Sequence, residues 1–362
     1  MLAICALPDS FRPQLIDIPE PPPPGPTEVL CETLELGVCG TDREILHSQR
    51  PHVPPGARHL VLGHECLARV VAIGAEAADL RVGDLVVPVV RRANDPSTRL
   101  ARERADLLAF GQFVERGIYL AHGFSPPYWV DRPEFLLRVE PSLAPVAVFA
   151  EPLSVCEKAI NEALGLQRAR VDELHWMQPP PRVLVTGLGP IAFAGAIAAL
   201  ARGWPVTTYG RDADDTFRAE LMRRFGARYT NDPRLFTPAD IEREGFDLLL
   251  ECTGSDELMV AASQGVRSLG VVVWLGSTRT PEARPLAVAR LMRDGILRNH
   301  LHLGTVNSAL RDFRDALAHL AQLQTTHAAE LAALFTARVP LAESLWHYEH
   351  REPQGVKTVV SH

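Results

Sequence analysis

The chain has 362 residues, 46% hydrophobic and 22% charged, which suits a soluble globular protein of about two domains with ample cores. Its formal net charge of −7 gives no reason to expect a nucleic-acid partner. Lys158 and Lys357 are the only lysines, so arginine supplies nearly all of the 37 basic residues, a genome-composition bias from which no function follows.

The cysteines, Cys5, Cys31, Cys39, Cys66, Cys156 and Cys252, form no Cys-x-x-Cys pair, so free thiols in a reducing cytoplasm fit better than a disulfide framework. The opening MLAICALPDSFRPQ has a short apolar run but no basic leader, and it reads as a first strand. A proline-rich link, residues 19–26, follows as an extended connection. Strand character then recurs at 29–38, 67–73 and 84–90, with turn signals at Gly74 and Gly83, and predicts a compact barrel-like β domain over residues 1–90. Residues 91–125, with an Arg-rich patch at 99–104, read as a solvated lobe. A strand is expected at 135–139, and Phe149–Ser154 opens a helix.

From Val183 the pattern changes to alternating strands (183–186, 205–210, 246–252, 270–276, 300–306) and helices (190–202, 216–226, 256–268, 308–324). Such alternation predicts an α/β unit, a doubly wound parallel sheet with helices on both faces. Its first stretch, RVLVTGLGPIAFAGAIAALAR from Arg182 to Arg202, has no charge between the two arginines, and a membrane span is the bland reading. Gly187, Gly189 and Pro190 fall where the middle of a spanning helix would be, and the residues before them favour strand. A strand, a glycine turn and a helix make a dinucleotide site, because small residues let pyrophosphate approach unpaired N–H groups at the helix start. Ala192 takes the third fingerprint position. Residues 355–360 read as a last strand that rejoins the first domain.

Cys39, His64, Glu65 and Glu151 are residue types that bind zinc, but they are far apart in sequence. Each also has an ordinary alternative: a small core thiol, a hydrogen-bonded histidine, a glutamate that starts a helix. His347 and His350 lack a third ligand nearby and read as surface residues.

Gly37–Glu44 (GVCGTDRE), Gly63-His64-Glu65, Glu151-Pro152-Leu153-Ser154 and Gly187–Pro190 occur in an order that resembles the zinc-dependent medium-chain dehydrogenases. Glu115–Ile118 (ERGI) with Ala121–Phe124 (AHGF), Glu151–Ala159 (EPLSVCEKA) and Gly304–Ser308 (GTVNS) narrow the similarity to the archaeal-type glucose 1-dehydrogenases. The resemblance implies a GroES-like catalytic domain from residues 1–152 and 308–362, with a Rossmann domain from 153–307 between them. It also implies a catalytic zinc on Cys39 and His64, with Glu65 and Glu151 in or beside the ligand set. Thr41 would relay the substrate proton, and Glu115, Glu151 and Asn307 would contact sugar hydroxyls. The product would be an aldonolactone, and the assembly a homodimer or homotetramer.

Two departures stand out. Residues 91–112 hold no cysteine, so the structural zinc of many relatives is not expected here. Val90 stands where some relatives carry an asparagine before the Arg91-Arg92 pair, which leaves the exact sugar open.

The nucleotide is expected across Gly187, Gly189, Pro190 and Ile191. Thr253, Gly254, Leu275 and Gly276 are expected on its nicotinamide side, with Thr305 and Asn307 nearby. The second Rossmann strand ends at Gly210-Arg211, and a guanidinium there pairs with a 2′-phosphate, which favours NADP. Asp212 follows, so NAD remains possible; the alternative is that Arg211 merely faces solvent. Two other readings are a zinc alcohol or polyol dehydrogenase and a non-catalytic NADP-binding protein.

Overall fold

The strand Val29–Gly37 alternates buried and half-buried residues, with its inward face set in the first of two units of the computed structural model. That model describes residues 1–77, 79–277 and 285–362. The first unit comprises Met1–Ser154 and Asn307–His362, and the second Val155–Val306.

In the first unit the sheet runs Leu136–Val139, Leu85–Pro88, Glu65–Ile73, Val29–Gly37, Lys357–Ser361, Phe335–Pro340. Tyr128–Asp131 also pairs with Val29–Gly37. Ile4, Leu36, Leu62, Phe124, Trp129 and Val360 are among the side chains of its core. The last strand, Lys357–Ser361, returns to pair with Val29–Gly37, Val359 lying opposite Gly37 in antiparallel register.

The solvated reading of residues 91–125 holds at the exposed helix Arg99–Glu103 and fails at the ends of the stretch. Arg91–Ala93 pairs with Phe113–Arg116, and Arg91, Arg92, Asp106 and Glu115 are buried. Charge pairing overrides polarity there. Arg92 donates to Asp131 Oδ1 at 2.5 Å and to the Val89 carbonyl, and its guanidinium lies 4.3 Å from the centre of the Phe135 ring.

The second unit holds a six-stranded parallel sheet in the order Arg228–Thr230, Val206–Tyr209, Val183–Thr186, Phe246–Glu251, Val266–Trp274, Leu301–Gly304. Val183–Thr186 and Phe246–Glu251 are buried at every position, as continuous strands covered on both faces must be. Their carboxyl ends flank the place where strand order reverses, which is where this architecture binds ligands. The apolar stretch before Arg202 is a strand followed by the twelve-residue helix Pro190–Ala201. No helix among the described residues is long and apolar enough to cross a membrane.

One expectation fails at a boundary, and two elements are additional. The helix expected over 256–268 stops at Ser263, because Val266 already pairs with Phe246 in the sheet. The strand Arg228–Thr230 and the helix Val288–Leu297 were not expected.

Asp131→Ala removes the carboxylate that Arg92 holds and leaves a guanidinium buried without its partner. The expected cost is about 3–5 kcal/mol of folding stability, measured as a lower urea midpoint at unchanged slope.

Candidate functional site

Cys39 caps the helix Gly40–Ser48 in extended backbone, and its N–H donates to Asp42 Oδ2 at 2.9 Å. The other oxygen of this buried carboxylate faces His64 Nδ1 at 3.5 Å. One aspartate therefore holds the Cys39 backbone and faces the imidazole. The Cys39 thiol donates to Thr41 Oγ1 at 3.7 Å. Glu65 opens the strand Glu65–Ile73 opposite Gly37, which brings its carboxylate back to the Cys39 loop. Ligand atoms of Cys39, His64 and Glu65 all lie within 4.8 Å of one another.

Electrostatics decide what this cluster accepts. Burial opposes a charged imidazole, yet Asp42 and Cys39 raise the His64 pKa well above its ordinary value. The pocket favours positive charge. A thiol, an imidazole and a carboxylate form a donor set suited to zinc, and the residues present fit that ion. Glu151 lies outside the three-residue set but within its field. Burial lifts its carboxyl to about 7, with His64 and Lys357 pulling it down and Glu65 and Asp42 pushing it up.

Lys357, from the last strand, forms a buried ion pair with Glu65 and donates to the Val38 carbonyl at 3.2 Å. Gly37 makes the space for this pair, since a Cβ there would overlap Glu65 Oε2 and crowd the lysine side chain.

A second polar chain lies in the same unit. Glu115 Oε1 accepts from Arg91 Nε at 2.9 Å and from Asn307 Nδ2 at 2.6 Å. Asn307 is left-handed, with φ 62°, and its Oδ1 accepts from the Ser308 N–H. Gly117, two residues past Glu115, packs on the backbone before His64; a Cβ there would sit 2.5 Å from the Gly63 carbonyl.

In the second unit Gly187 turns with φ 98°, and a Cβ on it would lie 3.0 Å from Thr253 Cγ2. Gly189 caps the helix that Pro190 begins, and the Ile191 carbonyl accepts from Cys156 Sγ at 3.4 Å. Gly254 and Gly276 approach so closely that a Cβ on Gly276 would overlap the Gly254 nitrogen. Glu251 organises these turns. Its side chain accepts from Thr186 Oγ1, from both the N–H and hydroxyl of Thr253, and from the Gly254 N–H; its carbonyl accepts from Leu275 and Gly276. Thr305 follows the edge strand, its N–H on the Trp274 carbonyl. Gly210 is buried at the end of Val206–Tyr209, and Arg211 is exposed.

Residues 144–362 match the family described as Glucose dehydrogenase C-terminus, and 25–125 the Alcohol dehydrogenase GroES-like domain. The chain is 35% identical to a glucose 1-dehydrogenase of Thermoproteus tenax, over 92% of this chain and 91% of the other. It belongs to the zinc-dependent medium-chain dehydrogenases. Among solved structures, a Haloferax mediterranei glucose dehydrogenase in complex with NADP, Zn and gluconolactone superposes with a TM-score of 0.86. The identity is 29%, covering 100% of this chain and 99% of that one. Galactitol-1-phosphate dehydrogenase from Escherichia coli, TM-score 0.80 at 17% identity over the full length of both chains, shares the fold. The architecture is thus the GroES-like domain and Rossmann sheet of this dehydrogenase family.

Four residues of this dehydrogenase escaped the sequence reading: Asp42, Arg91, Glu251 and Lys357. Asp42 sits inside the GTDRE stretch and Arg91 in the Arg91-Arg92 pair, so both were in view without a role. Lys357 carried a signal of its own, as one of two lysines in an arginine-rich chain. The His347 and His350 carbonyls accept from Arg43, and both rings pack on Trp346.

Gly37→Ala forces the Glu65 carboxylate away from its place beside Lys357 and His64. The expected result is a folded protein by circular dichroism with at least tenfold weaker zinc retention, in the range typical of changes just outside a ligand set, read by metal analysis after dialysis.

Proposed function

We propose that this dehydrogenase uses zinc and NADP to oxidise the C1 hydroxyl of an aldose such as D-glucose to the aldonolactone. The observation that carries the reading is the Arg91–Glu115–Asn307 chain in the same unit as the Cys39–His64–Glu65 cluster, linked to it by the Gly117–Gly63 approach. A row of buried hydrogen-bonding groups suits a polyhydroxyl substrate, because a missing hydroxyl would strand a buried partner. The similarity to glucose 1-dehydrogenases over more than nine-tenths of the chain supports the same assignment.

Cys39 and His64 would hold the metal, with Glu65 and Glu151 as the carboxylates in or beside its ligand set. Zinc bound there would supply Lewis acidity that makes an oxygen-bound proton far easier to remove, and NADP would supply the hydride acceptor. Thr41, beside the Cys39 thiol, takes the C1 hydroxyl proton and passes its own outward. Asp42 keeps His64 oriented, and Glu115, Asn307 and Arg91 fix the sugar ring. Gly187, Gly189, Pro190 and Ile191 cradle the pyrophosphate at a helix start. Thr253, Gly254, Leu275, Gly276 and Thr305 would line the nicotinamide side, and Asn307 is assigned to the sugar and to the cofactor. Gly210 and Arg211 receive the 2′-phosphate, with NAD as the weaker alternative. One zinc per chain is proposed, since residues 91–112 offer no cysteine for a second. The free thiols suit a reducing compartment, and the cytoplasm is the proposed location.

Zinc-loaded protein with NADP and D-glucose should raise absorbance at the reduced-nicotinamide wavelength, and a chelator should stop it. Cys39→Ala should abolish the signal and take bound zinc from one per chain to none. A response to polyols but not to aldoses would reassign the substrate. Turnover retained by Cys39→Ala would remove the metal from the reaction.

Self-association is proposed through the second unit. Among the described residues the strand Leu301–Gly304 is the edge of its sheet, and Val288, Met292 and Ile296 expose an apolar stripe on the helix before it. An unpaired edge beside apolar surface suits strand-to-strand pairing about a two-fold axis, which makes a homodimer and permits a homotetramer of two such pairs. Sedimentation should show a dimer or tetramer for the wild type and a monomer for Met292→Asp/Ile296→Asp; unchanged mass in that variant would exclude this face.

A further inference from the structure

We propose that the ion pair between Asp212 and Arg218 sets the discrimination between NADP and NAD, with Arg218 as a specificity-determining residue that never needs to touch the cofactor. The inference rests on the NADP reading given above and deepens it. Asp212 is the feature that argued against NADP, because a carboxylate beside a 2′-phosphate repels it. In the structure that carboxylate is engaged. Arg218 grips it in a fork, with Nε on Oδ2 at 2.9 Å and Nη2 on Oδ1 at 2.9 Å and Oδ2 at 2.7 Å. Both side chains are more than four-fifths buried, at 13% and 16% exposure.

The backbone around the pair is held as firmly. Gly210 runs beneath the Tyr229 ring, where a Cβ would lie 3.0 Å from the ring and 3.1 Å from Leu188. Tyr229 Oη donates to the Asp212 carbonyl at 2.7 Å, and Asn231 Nδ2 donates to the same oxygen at 3.3 Å. Arg218 lies in the first turn of the helix Phe217–Arg224, whose N-cap is Thr216. The loop therefore cannot swing Asp212 out without breaking several bonds at once. Arg211, next to it, is exposed and has no hydrogen bond or ion pair among the described residues.

The charges follow from this geometry. Arg211 and Asp212 alone would cancel, leaving nothing to attract a phosphate. With Arg218 committed to Asp212, the Arg211, Asp212 and Arg218 side chains together carry one net positive charge; Asp214 is paired with Arg223, Asp215 is exposed, and the uncommitted guanidinium of Arg211 faces solvent. A planar fork is needed for this, because a lysine would pair with only one carboxylate oxygen at a time.

The test uses adenosine 2′,5′-bisphosphate and adenosine 5′-monophosphate, which differ only in the 2′-phosphate and need neither zinc nor sugar. Titration calorimetry should show the wild type preferring the bisphosphate. Arg218→Gln should weaken the bisphosphate about tenfold or more, as an uncancelled charge at this range implies, and leave the monophosphate unchanged. Adding Asp212→Asn to that variant should restore the preference, and Asp212→Asn alone should keep it. In turnover, the ratio of kcat/KM for NADP to that for NAD should move in parallel, through KM. Equal weakening of both nucleotides by Arg218→Gln, or no restoration by Asp212→Asn, would overturn the proposal and leave Arg218 as a loop support. No preference in the wild type would overturn the NADP reading itself, and this inference with it.

Discussion

A buried charge must be compensated where it lies, and the Lys357–Glu65 pair is where the first unit meets that demand. Glu65 is fully inside the protein, at the end of a strand, beside a thiol and an imidazole. Its cation comes from the last strand, which can deliver it only by returning to pair with Val29–Gly37. The discontinuous make-up of the unit and the charge balance of the site are thus one constraint. Gly37 is part of it, because any side chain there would take the space the carboxylate needs. Asp42 repeats the principle one step away, serving a backbone N–H and a histidine ring with its two oxygens.

The second unit solves the same problem with different chemistry. Glu251 is as buried as Glu65, yet its partners are neutral hydroxyl and backbone donors rather than a lysine. Several donors on one carboxylate stabilise it without adding a cation. They also tie the ends of three neighbouring strands into one rigid set of turns. That leaves the charge of the proposed nucleotide region to the loop after Tyr209, where Asp212 pairs with Arg218 and Asp214 with Arg223, while Arg211 and Asp215 are exposed. The division separates backbone shape, set by Glu251, from charge, set by residues 211–218.

These solutions explain what was legible beforehand. The α/β alternation and the glycine turn were readable because strand and helix periods are local. The Cys39, His64 and Glu65 positions were nameable from motifs that each span a few residues. Arg91 and Lys357 were not, since their roles exist only once strands remote in sequence are paired. The solvated reading of residues 91–125 fails at Arg91 and Arg92 for a related reason: composition predicts solvent, whereas Asp131, Glu115 and the Phe135 ring make their burial tolerable. The overlong helix at 256–268 has a different cause. Residues near Val266 fit either period, and the sheet register decides between them.

The lysine count acquires a meaning once burial is known. Both lysines are buried, Lys158 with Nζ on the Val306 carbonyl at 2.9 Å and Lys357 with Nζ on Val38 and Glu65. A guanidinium carries five donors in a fixed plane, and each one buried without an acceptor costs free energy. An ammonium carries three on a flexible stem, which a carbonyl and a carboxylate come close to satisfying. Lys357 is such a case, with one carbonyl and one carboxylate around its ammonium. A statistic that says nothing about function at the surface therefore points, in the interior, to the lysine that holds Glu65 beside His64.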